Sequence, residues 1–234
     1  MTRAAEQATP VPHRPPATGC TVLVTGFGPF PGVRVNPTER LMARVSAQLA
    51  RRLTGPHAQG GRLTVRYDLA RRQLGVLLAD ARPDAVLLLG LASRSRMVRV
   101  ERHARRLDSP LHADAGGAGG AMHAPGSDLP LTSTAALGPA LATLQRAGIR
   151  ARISPSAGRY LCNAVYAAAL EQAAGRPVLF VHVPWPRPAP GTMPSRRMAR
   201  WRPAEAALVS ALAAIAVRMA TDARCRRLAQ HPLA

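Results

Sequence analysis

The sequence predicts a three-layer α/β/α sandwich around a mixed, mostly parallel sheet. Short runs of β-forming apolar residues alternate with longer amphipathic segments along nearly the whole chain, which is the pattern of an α/β fold. Two of the runs, residues 85–90 and 177–184, are apolar almost throughout, as strands covered on both faces must be. At 234 residues the chain is long enough for one substantial core, and one domain is expected over residues 20–222. Residues 1–19, rich in Pro, Ala and Thr, read as a disordered tail, and residues 223–234 as a frayed basic one.

The elements follow in order. Residues 21–27 form an apolar strand that runs into a Gly/Pro loop carrying Phe27 and Phe30. The glycines of that loop do not have the spacing of a phosphate cradle. Asn36 is a helix N-cap with Pro37 in the first helical position, and Leu41, Met42, Val45 and Leu49 recur at helical spacing. Gly55 to Gly61 reads as a turn, residues 63–68 as a strand and residues 71–81 as an amphipathic helix. Residues 85–90 are a buried strand. Residues 97–101 alternate, with Val98 and Val100 on one face and Met97, Arg99 and Glu101 on the other. Residues 113–126 form a Gly/Ala-rich mobile loop, and a helix is expected over 133–147, closed by Gly148. A strand over 151–154 then turns into an Ala-rich helix running from Cys162 to Ala174. Residues 178–183 are a strand containing His182, residues 185–203 a Pro/Arg-rich loop, and residues 204–220 the last helix, with Leu208, Leu212, Ile215 and Met219 along one stripe.

Composition narrows the function classes. No apolar run approaches the roughly 20 residues that a membrane span needs, and residues 1–19 lack the apolar core of a signal peptide. Cys20, Cys162 and Cys225 are too few and too scattered for a disulfide framework or a zinc site, so a reducing cytoplasm is the expected setting. All 32 basic residues are arginine and the formal charge is +20. That charge attracts polyanions non-specifically. However, aromatics make up only 3% of the chain, so the stacking platform of a single-strand binder is missing and no specific nucleic-acid partner is expected.

Three side chains can carry chemistry. Cys162 stands at a helix start, where unpaired N–H groups favour a thiolate and can hold an oxyanion. His182 lies in an apolar strand, and Glu101 on a strand amid Arg94, Arg96, Arg99, Arg102, Arg105 and Arg106. Taken singly, each has a bland reading: an inert thiol, a satisfied core histidine and a neutralised surface acid. Taken together, they are the kinds of group a cysteine hydrolase needs, a thiol, an imidazole and an orienting partner for it, though their spacing does not show that they converge.

The motifs themselves carry a resemblance. Val22-Leu23-Val24-Thr25-Gly26-Phe27-Gly28-Pro29-Phe30 followed by Asn36-Pro37-Thr38-Glu39 resembles the N-terminal signature of the pyroglutamyl peptidase type I (pyrrolidone-carboxylate peptidase) family. Ser154-x-Ser156-Ala157-Gly158-x-Tyr160-Leu161-Cys162-Asn163 is similar to that family's nucleophile motif, Phe180-Val181-His182-Val183-Pro184 to its histidine motif, and Gly90-Leu91-Ala92 leading to Glu101-Arg102 to its acidic motif. The register agrees from about Thr21 to Ala220. The resemblance implies a cysteine peptidase that hydrolyses the amide after an N-terminal pyroglutamyl residue through a thioester acyl-enzyme. In it Cys162 is the nucleophile, His182 the general base and then acid, and Glu101 the residue orienting His182. It also implies that Phe27 and Phe30 flank the flat lactam ring, that no metal or organic cofactor is needed, and that the chain forms a homo-oligomer.

Around the acid the chain departs from that family. Arg99 stands where the family has a small hydroxyl residue, His103 replaces an aliphatic residue and Arg106 an Asn. Asp108 fits the family, whereas Pro110 replaces an Arg, and Pro155 replaces an Asn before the nucleophile. The added arginines are expected to favour the Cys162 thiolate, or else to compete with His182 for Glu101. The substrate is then a pyroglutamyl peptide or a related lactam-capped or N-acyl amine, including one with an acidic group. The alternatives are a binding or interaction paralogue that keeps the three residues without turnover and, behind it, a basic nucleic-acid-associated protein.

Overall fold

In the computed structural model, residues 21–52, 58–106, 109–110, 113–120, 129–187 and 201–230 are described. The elements run β1 (Val22–Phe27), α1 (Pro37–Arg52), β2 (Ala58–Leu63), α2 (Tyr67–Ala81), β3 (Ala85–Leu91), β4 (Val98–Glu101), β5 (His103–Ala104), β6 (Leu131–Thr132), α3 (Leu137–Arg146), β7 (Ala151–Ser154), α4 (Leu161–Glu171), β8 (Val178–Val183) and α5 (Glu205–Gln230). Six strands make one sheet in the order β2-β1-β3-β8-β4-β7, and β5 and β6 form a small separate ladder. Every neighbouring pair in the main sheet is parallel except β4 with β8. The mixed, mostly parallel α/β architecture is therefore as the sequence predicts.

Strand periodicity builds two apolar layers. Val22, Val24, Leu87, Leu89, Val98, Val100, Leu179 and Val181 project toward α1, α3 and α5. Leu23, Val86, Leu88 and Phe180 project toward α2 and α4. β1 and β8 are buried along their whole length, which explains why their sequences lack a polar alternate. By length and a mean hydropathy of 1.5, α5 could span a membrane, contrary to the expectation that no segment approaches this, but 56% of that window is buried in the protein. Leu208, Leu212 and Ile215 lie in the core on the α1 side of the sheet.

Several boundaries differ from the expected ones. β2 occupies residues read as a turn, because this strand is squeezed between two helices. A Cβ on Gly60 would meet Met42 Sδ at 2.6 Å, and one on Gly61 would meet Leu77 Cδ1 at 2.4 Å. The glycines are there for close approach. α2 starts at Tyr67 rather than Arg71, since Asp114 Oδ2 accepts the Tyr67 N–H at 2.9 Å and caps the helix from a distant loop. α3 starts at Leu137 rather than Ser133. Ser133 Oγ donates to Val178 O at 2.9 Å and Thr134 Oγ1 to Arg176 O at 2.5 Å, so these residues anchor the start of β8. α4 ends at Glu171, short of Ala174, which has φ +46. α5 continues well past Ala220, so residues 223–230 are helical rather than frayed. The expected tail at 1–19, Cys20, Asp108, the far part of the 113–126 loop and most of the 185–203 loop lie outside the described residues.

Candidate active site

The seam between β4 and β8 brings Glu101 and His182 together. In this antiparallel pair Arg99 lies opposite His182 and Glu101 opposite Phe180, so strand alternation puts all four side chains on the α4 face. His182 Nδ1 meets Glu101 Oε1 at 2.8 Å. Arg99 Nε stands 3.2 Å from the same oxygen, and Glu101 Oε2 is buried with no hydrogen-bond partner among the described residues. Glu101 is fully buried, which overturns its reading as a surface acid. Of the two arginines expected to compete, Arg99 meets Glu101, whereas Arg106 pairs with Glu171 at 2.6 Å.

Space for the imidazole comes from β3. Gly90 is in register with His182, and a Cβ there would meet Phe180 Cζ at 2.7 Å and His182 Cδ2 at 3.0 Å. The Phe180 ring packs on the imidazole with centroids 4.7 Å apart. Tyr166 in α4 donates to the Glu101 carbonyl at 3.1 Å. The ring is thus held by a hydrogen bond, a stacking partner and a missing side chain, which leaves it little rotational freedom.

Cys162 is the second residue of α4, after an extended N-cap residue, Tyr160, that makes no side-chain cap. It is partly exposed and packs against the same apolar cluster that holds Phe180. Burial, then the charge of Glu101, pushes the Cys162 thiol up to about 12, while Arg99 and the residue's own N–H pull weakly the other way. Burial also pushes His182 below the ordinary imidazole value, with Arg99 adding to this and Glu101 opposing it. Burial thus favours the uncharged form of each group, a thiol at Cys162 and an imidazole at His182. Arg99 does act in favour of the thiolate, the direction expected of added arginine, but burial and the nearby carboxylate outweigh it.

The rest of the wall contains residues not singled out from the sequence. Asn163 locks α4 to the chain after β4, its Oδ1 accepting from Arg105 N and its Nδ2 donating to Arg105 O, both at 2.7 Å. Asp114 binds the N–H groups of Tyr67, Gly116 and Ala118 at 2.9, 2.8 and 3.1 Å. Tyr67 meets Tyr160 edge to face at 5.9 Å, and Tyr160 Oη donates to Ala113 O at 3.1 Å. The loop expected to be mobile is, over 113–120, bonded to the starts of both α2 and α4. The signal for this was a single acid among glycines, and its partners are far away in the chain.

Phe27 and Phe30 occupy unequal places. Phe27 is 3% exposed and belongs to the core on the α4 side, whereas Phe30 is half-buried against it. Asn36 fixes the loop between them: it caps Thr38 N at 3.1 Å, donates to Gly28 O at 3.0 Å and accepts from Thr38 Oγ1, which in turn receives Phe27 N at 3.0 Å. Phe30 and Val33 exchange backbone hydrogen bonds across Pro31-Gly32, with Gly32 at φ +81, the left-handed position this turn requires. Among the described residues no group of three His, Cys, Asp or Glu is placed to hold a metal ion.

A half-open thiol at a helix start, on the sheet face that carries a buried histidine–carboxylate pair, is the equipment of a cysteine hydrolase. The chain belongs to the pyroglutamyl peptidase family, whose model matches residues 20–216. It is 33% identical over 170 residues to the pyrrolidone-carboxylate peptidase of Pyrococcus furiosus, spanning 70% of this chain and 80% of that one. Its identity to the Thermococcus litoralis pyrrolidone-carboxylate peptidase is 36% over 172 residues, or 70% of this chain and 76% of that one. Among solved structures it matches pyrrolidone carboxyl peptidase from Thermus thermophilus with a TM-score of 0.70 and 28% identity, covering 85% of this chain and 100% of that one.

Proposed function

We propose that the chain is a cysteine peptidase that removes an N-terminal pyroglutamyl residue. The observation that carries this reading is the fully buried His182–Glu101 bond at 2.8 Å. A carboxylate only accepts, so the ring proton sits on Nδ1 and leaves Nε2 as the proton acceptor. His182 takes the Cys162 proton as sulfur attacks the pyroglutamyl carbonyl, and the Cys162 N–H at the helix start receives the developing oxyanion. His182 then returns the proton to the leaving amine as the C–N bond breaks, giving a thioester. Water, deprotonated by His182, attacks the thioester to release pyroglutamate and restore the thiol. Starting from a neutral pair, thiol deprotonation belongs to the attack step. Phe30 supplies apolar surface for an uncharged ring, backed by Phe27 in the core behind it.

Release of a fluorogenic amine from a pyroglutamyl conjugate is the direct test. Turnover by the wild-type chain is expected, with Cys162→Ala slower on the order of 10⁴-fold. Equal rates for the two proteins would reject the proposal. The Arg99–Glu101 contact favours a second reading, a member of the family with weak turnover, and the same assay separates the two by its absolute rate.

A further inference from the structure

Arg99 differs from its neighbours in the seam in one respect: it is partly open to solvent. Side-chain exposure is 0% for Glu101, 5% for His182 and 28% for Arg99. Arg99 lies opposite His182, and its charge acts on both the imidazole and the Cys162 thiol, so the guanidinium stands beside the reacting groups. One shared carboxylate oxygen, 3.2 Å from Nε, occupies little of a five-donor fork. The other acids of the wall are already committed. Asp114 is filled by three backbone N–H groups, and Glu171 is paired with Arg106. A guanidinium whose buried Nε forms an ion pair but no hydrogen bond among the described residues, and whose side chain is partly exposed, is a receptor for a carboxylate. The pyroglutamyl lactam has none, so the complementary group must lie on the leaving side of the scissile amide.

Building on the pyroglutamyl peptidase reading, we propose that Arg99 is a specificity-determining residue that binds a carboxylate on the leaving amine. The preferred substrates are pyroglutamyl amides whose released portion is acidic, through either an acidic side chain or a free terminal carboxylate next to the cut.

Four substrates separate these sources: pyroglutamyl-glutamate amide, pyroglutamyl-alanine with a free carboxylate, pyroglutamyl-alanine amide and pyroglutamyl-lysine amide. The wild-type chain is expected to favour at least one carboxylate-bearing substrate over the alanine amide by about tenfold in kcat/KM, the size of one charge-assisted hydrogen bond, with the lysine amide poorest. The preference should appear mainly in KM and weaken with added salt. In Arg99→Ser the acidic-to-neutral ratio should fall to about one, while Arg99→Lys, which keeps the charge and tests against loss of folding, should retain part of it. Turnover of all four substrates at similar efficiency, or an acidic preference unchanged in Arg99→Ser, would overturn this proposal and leave the peptidase reading standing. No turnover of any of them would overturn both.

Discussion

Glu101 and Asp114 are both acids withdrawn from solvent in a chain dominated by arginine, and the surrounding structure completes one and leaves the other incomplete. Asp114 receives three backbone N–H groups across its two oxygens. These overcome the upward push of burial and hold its carboxyl below the usual value, with help from Arg66. Glu101 directs one oxygen at both His182 and Arg99 and leaves the other buried without a partner among the described residues. An unpaired buried polar atom is destabilising unless something offsets it. The contrast separates an acid that organises backbone from one that stays electrostatically active toward a neighbouring base. The first sits in a loop that it holds in place, the second in the interior seam between β4 and β8.

The largest test of that contrast is Glu101→Gln. The substitution keeps shape and an acceptor, but its amide can also donate to His182 and select the unproductive tautomer. We expect kcat/KM for a pyroglutamyl amide to fall by about 10³–10⁴-fold with the urea midpoint nearly unchanged. Asp114→Ala should do the reverse. Losing the α2 cap and the loop anchor should destabilise the fold by about 2–3 kcal/mol in urea titrations, while the folded fraction keeps far more activity than Glu101→Gln. If Glu101→Gln proved the more destabilising of the two, the distinction between a completed and an active carboxylate would fail.

The two acids also show what sequence reasoning reaches. The strands β1, β3 and β8 were legible because double-sided burial leaves no polar alternate, and α1 because Asn36 and Pro37 mark its start. Glu101, His182 and Cys162 were visible in separate motifs, and alternation already placed Arg99 and Glu101 on one face. What alternation could not convey is that Arg99 would face His182 across an antiparallel pair in an otherwise parallel neighbourhood, because register belongs to the assembled sheet. The same limit hid Gly90, whose missing side chain matters only once β8 lies beside it. Asp114 was hidden more deeply, since its partner Tyr67 is 47 residues away and its own surroundings read as a flexible loop. β2 was displaced because glycine is a turn signal unless packing demands it.

The smallest expected effect separates the acids by pH. Catalysis needs neutral His182, and because burial and Arg99 lower its proton affinity, kcat/KM should stay high below the ordinary imidazole value of about 6.5 before falling. The Glu101 and Arg99 charges from β4 act on this ring, and Gly90 of β3 lies in register with it. Removing the Arg99 charge should therefore move the acid limb upward, as burial alone then opposes the raising influence of Glu101. Stability follows a different course. Between about 6.5 and the lower folded value of His182 it should decline modestly as pH falls, because the unfolded chain takes that proton first. The Asp114 contribution is fully present above the unfolded carboxylate value of about 3.9 and is lost only as pH falls through its lower folded value. Activity and ellipticity measured on the same samples should thus show a folded but inactive interval on acidification, reversible on return to neutral pH. Coincident loss of both signals would mean that protonation at the His182–Glu101 seam unfolds the protein rather than silencing it.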